Sequence, residues 1–393
     1  MFKSDALSMV RQTCIGIIGG GQLGKMIAHE ARRMSFKVIV LDPTEGCPAS
    51  KIADEQIIAD FKDESAIMKL AEKSDVLTYE IELANSSALK QLEEKNYPVR
   101  PAPETLRIIQ NKYRQKSFLK EHKIAVPDFE LVLSEEHLQG LCKKFGLPAV
   151  LKATEDSYDG RGNFMITSWA KVHEAYEYFK GKETMLEMFI PFAKEVSIMV
   201  ARNPSGQIES FPVAENIHKN SILDTTIAPA KLSRKVEQRA IKMAKRIMQV
   251  LHSAGIFGIE MFVTKNGDVL INEIAPRVHN SGHYTNEACS VSQFEQHLRA
   301  VLDLPLAKPK LLSPAAMINI LGPEGFDGTY AVTGLDAMMN VPGAELYIYG
   351  KKESKPRRKL GHITATGRTT KDALARAKKA RNAIKLVPDI DAR

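Results

Sequence analysis

Two glutamates interrupt otherwise apolar, β-rich runs in the segment FGIEMFVTKNGDVLINEIAPR, Glu260 before Asn266-Gly267 and Glu273 after it. Asn-Gly between two such runs is the strongest short signal for a two-residue hairpin. If Lys265 pairs with Asp268, a constant pairing sum puts Glu260 directly opposite Glu273 on one face. Opposed Cβ atoms lie ~5 Å apart, and like charges there repel. The pair therefore calls for a cation. Hard carboxylate oxygens, completed by substrate phosphates, suit Mg²⁺, with Mn²⁺ as a substitute, and Asn272 could add a further oxygen. A slip of one residue would separate the two carboxylates and leave a pair of solvated glutamates instead.

A second segment joins two strand-like runs through Ser157, Tyr158, Asp159, Gly160, Arg161, Gly162 and Asn163. No GK[ST] opens a helix after it, so it is not a Walker A loop. Two glycines and an arginine between strands suit a loop that closes over phosphates and excludes water, and equally an ordinary hairpin. Lys152, on the preceding strand, is placed to reach a phosphate oxygen. Near the start, Gly19 to Gly24 (GGGQLG) fits GxGxxG, and Asp42 follows at the end of the next strand. Alone, this admits a nicotinamide or flavin site, or a structural or substrate-facing turn between strand and helix.

The elements that position these residues alternate. Residues 14–19 read as a buried parallel strand, followed by a helix from Gln22 to Met34 and the strand KVIVLD, an α/β opening. VLTYEIE (76–82) reads as a strand, SALKQLEEK as a helix, and the proline-rich 98–106 as a boundary. One helix is expected over TLRIIQNKYRQKSFLKEH, others over 169–180 and 231–252, the last stopped by Gly255. After Pro314 come short strands, AMINILG, AELYIYG and KLGHITATG, and a final helix.

A chain of 393 residues predicts two to three domains. Hydrophobic residues at 44% and charged ones at 26% are an ordinary globular balance, which argues against disorder. Four scattered cysteines without CxxC spacing read as reduced packing residues. The first residues lack a signal-peptide apolar core, and no run approaches a membrane span, so a cytoplasmic protein is expected. The formal charge of +8 suits nucleic acid, an acidic membrane surface or small polyanions.

GGGQLG, YDGRG and NEIAPRVHNSGHYT followed by SVSQFEQHLRA together resemble the N5-carboxyaminoimidazole ribonucleotide synthetase family, ATP-grasp ligases of purine biosynthesis. The resemblance runs from about Cys14 to about residue 366. Biotin carboxylases and phosphoribosylglycinamide formyltransferase relatives are the nearest alternatives. It implies an α/β and α+β multidomain ATP-grasp fold: a Rossmann-like (pre-ATP-grasp) domain over 1–105, a lid domain over 106–190, a metal and nucleotide domain over 191–310, and a small β-rich domain over 311–393. It implies that ATP phosphorylates bicarbonate to carboxyphosphate, which carboxylates 5-aminoimidazole ribonucleotide. It also implies a homodimer, no NAD or flavin, and neither nucleic acid nor membrane as partner.

Carried over by position, the resemblance puts Lys112 and Lys152 on ATP phosphates, under the 157–163 loop. It puts the backbone of Glu187, Met188, Phe189 and Ile190 around adenine, Glu195 on the ribose, and His218, Asn272 and Glu273 in the nucleotide site. Glu260 and Glu273 hold the metal. Tyr158, Asp159, Arg277, His279 and Asn280 are its catalytic candidates, with Arg277 offering a planar fork to bicarbonate or carboxyphosphate. Gln22, Leu23, Glu82, Arg277 and His283 face the ribonucleotide, and Lys351, Arg358 and Lys359 clamp its phosphate from a turn that alone would read as solvated. Three positions depart from the family pattern: Lys112 stands where arginine is frequent, Asn163 replaces a usual glutamine, and TYEIELAN alters the segment around Glu82.

Overall fold

The computed structural model describes residues 13–155 and 162–389. Four parallel strands open the chain: β1 (Cys14–Ile18), β2 (Lys37–Leu41), β3 (Glu55–Ile57) and β4 (Val76–Tyr79), in the order β3-β2-β1-β4. β1 is buried throughout, as an apolar run covered on both faces must be. The helix Gln22–Arg33 packs on one side through Leu23, Met26, Ile27 and Ala31. β4 stops at Tyr79, three residues before the predicted end, because the chain leaves the sheet there. That departure sets Glu80 and Glu82 at the carboxyl edge of the sheet, where open α/β sheets bind ligands.

The expected helix over 105–122 is two helices, Pro103–Gln110 and Lys112–Glu121. Asn111 between them is extended (φ −114°, ψ 116°), and its side-chain oxygen accepts the Arg114 amide at 2.9 Å. Asparagine competes for backbone amides in this way and so favours a cap over a helix interior. The break lets the Lys112 amide donate to Thr154 O at 2.7 Å. An antiparallel sheet follows: β5 (Phe129–Val132), β6 (Ala149–Ala153), β7 (Asn163–Ile166) and β8 (Thr184–Met188), ordered β5-β8-β6-β7. The helices Glu135–Phe145 and Val172–Tyr178 contribute Leu138, Leu141, Val172 and Ala175 to its core.

The third sheet has nine strands. It comprises β9 (Phe192–Arg202), β10 (Ile208–Ser210), β11 (Ala214–Lys219), β12 (Ile222–Ala228), β13 (Gly255–Thr264), β14 (Val269–Ala275), β15 (Ala315–Leu321), β17 (Ala344–Ile348) and β19 (Lys359–Thr366). Its path is β14-β13-β9-β11-β12-β15-β19-β17, with β10 on β9. A small sheet joins β16 (Gly328–Thr333), β18 (Glu353–Ser354) and β20 (Lys385–Pro388). β12 pairs with β15 from Thr225↔Ile318 to Ala228↔Ala315, so one sheet continues across residue 310. The helix Arg234–Leu251 is capped by Ser233 and buries Ala240, Ala244, Ile247 and Met248. It ends on His252 in the left-handed region (φ 50°) rather than on Gly255.

Candidate active site

One cleft of about 2350 Å³ runs between the three sheets. At its centre Glu260 pairs with Glu273, as the sequence predicts, but two local deviations produce that register. The hairpin closes between Thr264 and Asp268, around a three-residue loop that ends on Gly267 at φ 80°. This is the three-residue turn with a left-handed glycine, not the two-residue form, and it shifts the pairing by one. Near the turn Met261 therefore faces Ile271. A bulge at Asn272 restores the lost residue, so Glu260 again lies opposite Glu273.

Each carboxylate of this pair meets a base. Glu273 Oε2 is 2.9 Å from Lys112 Nζ, and Glu260 Oε1 is 3.7 Å from His279 Nε2. Burial pushes the Glu260 carboxyl up to about 7, helped by Glu273 and Glu195 and opposed by His218. Glu273 keeps 48% of its side chain open to the cleft, so the desolvation that raises its carboxyl is partial, and Lys112 outweighs it and holds that carboxyl below its ordinary range. A pair in this condition lacks positive charge. Among the described residues no group of three or more His, Cys, Asp or Glu is placed to hold a metal. Two facing carboxylates in a polar cleft fit a hard divalent ion that takes its remaining ligands from phosphate and water.

Next to the pair lies a buried set of charges that sequence reasoning misses in part. Glu187 turns its carboxylate, not only its backbone, toward the site, 2.6 Å from Lys152 and 2.6 Å from Lys116. Lys116 also donates to Asn272 O at 3.2 Å, which ties the lysine to the bulge beside Glu273. Its signal was legible: it stands four residues after Lys112 on one helix, hence on the same face. Burial raises the Glu187 carboxyl, yet the two lysines overcome this and hold it down to about 2. The stabilisation is present above the ordinary carboxylate range and is lost only as pH falls toward 2. In Lys116→Met, one buried carboxylate oxygen loses its partner and Lys152 is drawn toward Glu187. We expect a loss of about 3–5 kcal/mol in urea unfolding. An unchanged unfolding free energy would show that Lys152 alone satisfies Glu187.

The remaining predicted residues are divided along the cleft. Met188, Phe189 and Ile190 line it where the chain leaves β8, beside Phe192 stacked on Phe262 at 4.9 Å. Glu195 Oε2 is 2.7 Å from His218 Nδ1. Asn163 and Asn272 also line this part. Gln22, Leu23, Lys351, Arg358 and Lys359 border the other end with Arg277, His279 and Asn280. Arg277 is anchored by Glu82 Oε1 at 2.8 Å and donates to Val278 O at 3.1 Å. Its buried Nε has no hydrogen-bond partner among the described residues. Gln293 fixes the following loop by accepting the His279 amide at 2.9 Å and donating to His279 O at 2.8 Å. Asn280 exchanges two carboxamide bonds with Asn319, at 2.6 and 3.1 Å.

Two expectations need correction or fall elsewhere. His283 does not reach the cleft: it is fully buried and its ring stacks on Phe294 and His362. The turn carries its ring into the core, away from the substrate-facing place that the resemblance implies. Ser157, Tyr158, Asp159, Gly160 and Arg161 lie outside the described residues, while Gly162 is described at φ 90°.

The amino-terminal glycine turn is occupied by the chain itself. Asp42 accepts the Gly20 amide at 2.8 Å, and Glu80 accepts the Gly21 amide at 2.7 Å. A Cβ at Gly19 would stand 2.6 Å from Glu80 Cγ, and one at Gly24 would stand 2.4 Å from Gly19 O. The glycines therefore admit internal carboxylates to the helix terminus, where a dinucleotide site would present its amides to a pyrophosphate. Sequence reasoning names Glu82 through the resemblance and misses Glu80, which no motif marks. Burial pushes its carboxyl up to about 7, against the Gly21 amide and Arg277.

Comparison with known proteins is consistent along most of the chain. Family models match for a ribonucleotide synthetase pre-ATP-grasp domain over 12–110, an ATP-grasp domain over 117–294, and a phosphoribosylaminoimidazole carboxylase C-terminal domain over 315–376. The N5-carboxyaminoimidazole ribonucleotide synthase of Bacillus subtilis strain 168 is 42% identical over 350 residues, covering 89% of this chain and 90% of that protein. The crystal structure of N5-carboxyaminoimidazole ribonucleotide synthetase from Thermotoga maritima matches with a TM-score of 0.88 at 46% identity, over 96% of this chain and 100% of that one. That of N5-carboxyaminoimidazole synthase from Aspergillus clavatus, in complex with ADP and 5-aminoimidazole ribonucleotide, matches at 0.88 and 32% identity, over 95% and 98%.

Proposed function

The chain belongs to the N5-carboxyaminoimidazole ribonucleotide synthetase family of ATP-grasp proteins, and on that footing we propose that it carboxylates 5-aminoimidazole ribonucleotide with bicarbonate, driven by ATP. The products are N5-carboxyaminoimidazole ribonucleotide, ADP and phosphate, in purine biosynthesis. The observation that carries this reading is the facing pair Glu260 and Glu273, set between a lysine group at one end of a continuous cleft and Arg277 with three C-terminal cations at the other.

Glu260 and Glu273 are the Mg²⁺ ligands in this reading, and the ion supplies charge neutralisation on the ATP phosphates. Lys112 and Lys152 hold those phosphates, the backbone from Glu187 to Ile190 lines adenine, and Glu195 with His218 receives the ribose. Tyr158 and Asp159, outside the described residues, are assigned to the reacting groups in this reading. Water exclusion has a chemical purpose here, because carboxyphosphate is labile in water. Arg277, with His279 and Asn280 beside it, holds the bicarbonate-derived group next to the ribonucleotide amine. Gln22, Leu23 and Glu82 face Lys351, Arg358 and Lys359 across the ribonucleotide. No nucleophilic side chain is required; the protein positions charges.

The same reading divides the chain near residues 105, 190 and 310 and takes the working form as a cytoplasmic homodimer. Among the described residues no helix is long and apolar enough to cross a membrane. The internal occupation of the glycine turn by Asp42 and Glu80 argues against the nicotinamide alternative. The test is ADP release from ATP and Mg²⁺, with bicarbonate and 5-aminoimidazole ribonucleotide each omitted in turn. Release that requires both supports the assignment. Release with a different acceptor keeps the ATP-grasp chemistry and sinks the substrate.

A further inference from the structure

One buried side chain outside the cleft touches the two strands and the loop that lead to the C-terminal cations and to Arg277–Asn280. His362 sits fully buried on β19, three residues after Lys359. Its ring stacks on Tyr347 of β17, with centroids 4.5 Å apart and planes 6° from parallel. It also stacks on His283, at 4.5 Å and 27°. His283 has its Nδ1 3.1 Å from the Gln293 carboxamide nitrogen, and Gln293 is the side chain that clamps the His279 backbone. On its remaining side, His362 Nδ1 is hydrogen-bonded to the Tyr349 hydroxyl at 2.9 Å, and Tyr349 lies two residues before Lys351.

The geometry points to His362 as a positioning residue: through Tyr349 and His283 it fixes the spacing between the cations Lys351 and Lys359 and the loop Arg277–Asn280, and so the fit of the phosphorylated, imidazole-bearing substrate. This inference rests on the ribonucleotide reading of that end of the cleft. Three facts support a locating role over simple filling. Both faces of the ring are stacked and its edge is hydrogen-bonded, and these contacts join segments distant in sequence. The ring is also the point at which those segments converge. Neither His283 nor His362 has a hydrogen-bond partner for its buried Nε2 among the described residues, so a proton there would lack compensation. Burial accordingly holds His283 down to about 3 and His362 well below its ordinary range. An uncharged stack is a stiff spacer, because aromatic rings at these separations resist sliding without losing their contacts.

Tyr349→Phe deletes one hydroxyl and leaves the rings in place, and His362→Phe keeps an aromatic stack without the bond. Each is expected to raise KM for the ribonucleotide by about 3- to 10-fold, the equivalent of one lost hydrogen bond, with KM for ATP unchanged. The double variant should be no worse than the poorer single one, since both remove the same contact. In the absence of substrate, amides of residues 279–283 and 349–351 should exchange faster in Tyr349→Phe than in the wild type. An unchanged ribonucleotide KM, equal shifts in both KM values, or additive effects would overturn the inference and reduce His362 to packing. If the wild type itself shows no ribonucleotide-dependent turnover, the functional reading falls. The exchange comparison then decides by itself whether His362 couples the two segments.

Discussion

Glu273→Gln is expected to cut ribonucleotide-dependent ADP release by at least about 100-fold while the protein stays folded, the scale of removing one preorganised charge contact from a transition state. The substitution preserves shape and removes one negative charge from the facing pair. Two consequences follow from the geometry. The cation site loses half of its protein charge, and Lys112, 2.9 Å from Glu273 Oε2, loses the partner that offsets its burial. A readout free of turnover separates the first effect from a general loss of structure. Mg·ADP should raise the melting temperature of the wild type, by the mass-action stabilisation of any bound state, and should no longer do so in Glu273→Gln. Lys112→Met isolates the second effect, since it keeps the carboxylate and removes the lysine with its phosphate contact. If Glu273→Gln retains both turnover and Mg·ADP stabilisation, the facing glutamates are not the metal site.

The same pair gives the cleft a pH dependence with a definite sign. Glu260 is held up to about 7, so below that pH a cation must displace its proton in order to bind. Apparent Mg²⁺ affinity should therefore weaken as pH falls from 8 to 6, and level off as pH rises above 7. Titration of Mg·ADP binding by melting temperature at several pH values measures it. A flat profile across that range would mean that Glu260 is ionised throughout and that burial is compensated by groups other than those facing it.

The sequence made the chemistry of the hairpin legible, though by a route the structure revises. A two-residue Asn-Gly turn was expected; the three-residue turn and the bulge at Asn272 are two one-residue deviations that cancel. The face shared by Glu260 and Glu273 is set by burial of their apolar neighbours, Ile259 and Ile274, which leaves the turn free to vary. Where local pattern alone was available, long-range pairing went unseen. Nothing in the short strands after Pro314 reveals that β15 continues the sheet of β12, because pairing partners about ninety residues apart leave no periodic trace. The break at Asn111 was hidden by a helical pattern that runs smoothly through it. Yet it is this break that turns Lys112 and Lys116 toward Glu273 and Glu187. His283 shows the opposite failure: the resemblance carries a substrate-facing role onto it, although packing on Phe294 decides its place.

Arg277→Ala is expected to separate ATP consumption from carboxylation. The guanidinium lies half-buried at the junction of the cleft's two ends, held by Glu82 and by Val278 O, with Nε directed at neither. A planar fork whose two terminal nitrogens each keep a hydrogen beyond these contacts suits a trigonal oxyanion, and an ammonium cannot reproduce it. Alanine leaves Lys112, Lys116 and Lys152 in place, so KM for ATP should stay within about 2-fold, as expected where the lost contact is made only by the transferred group. Carboxylation should fall by about 10²–10³, the scale for removal of one preorganised charge contact from a transition state. ADP should continue to appear, since an activated group that is formed but not held reaches water before the amine. The ratio of ADP released to ribonucleotide carboxylated should therefore rise well above one, and Arg277→Lys should not restore it. Glu82→Gln, which loosens the anchor but keeps the fork, should give an intermediate ratio. A ratio that stays at one in Arg277→Ala, with both rates lowered together, would place Arg277 among the groups that bind ATP and would assign the holding of the carboxyl group to His279 or Asn280.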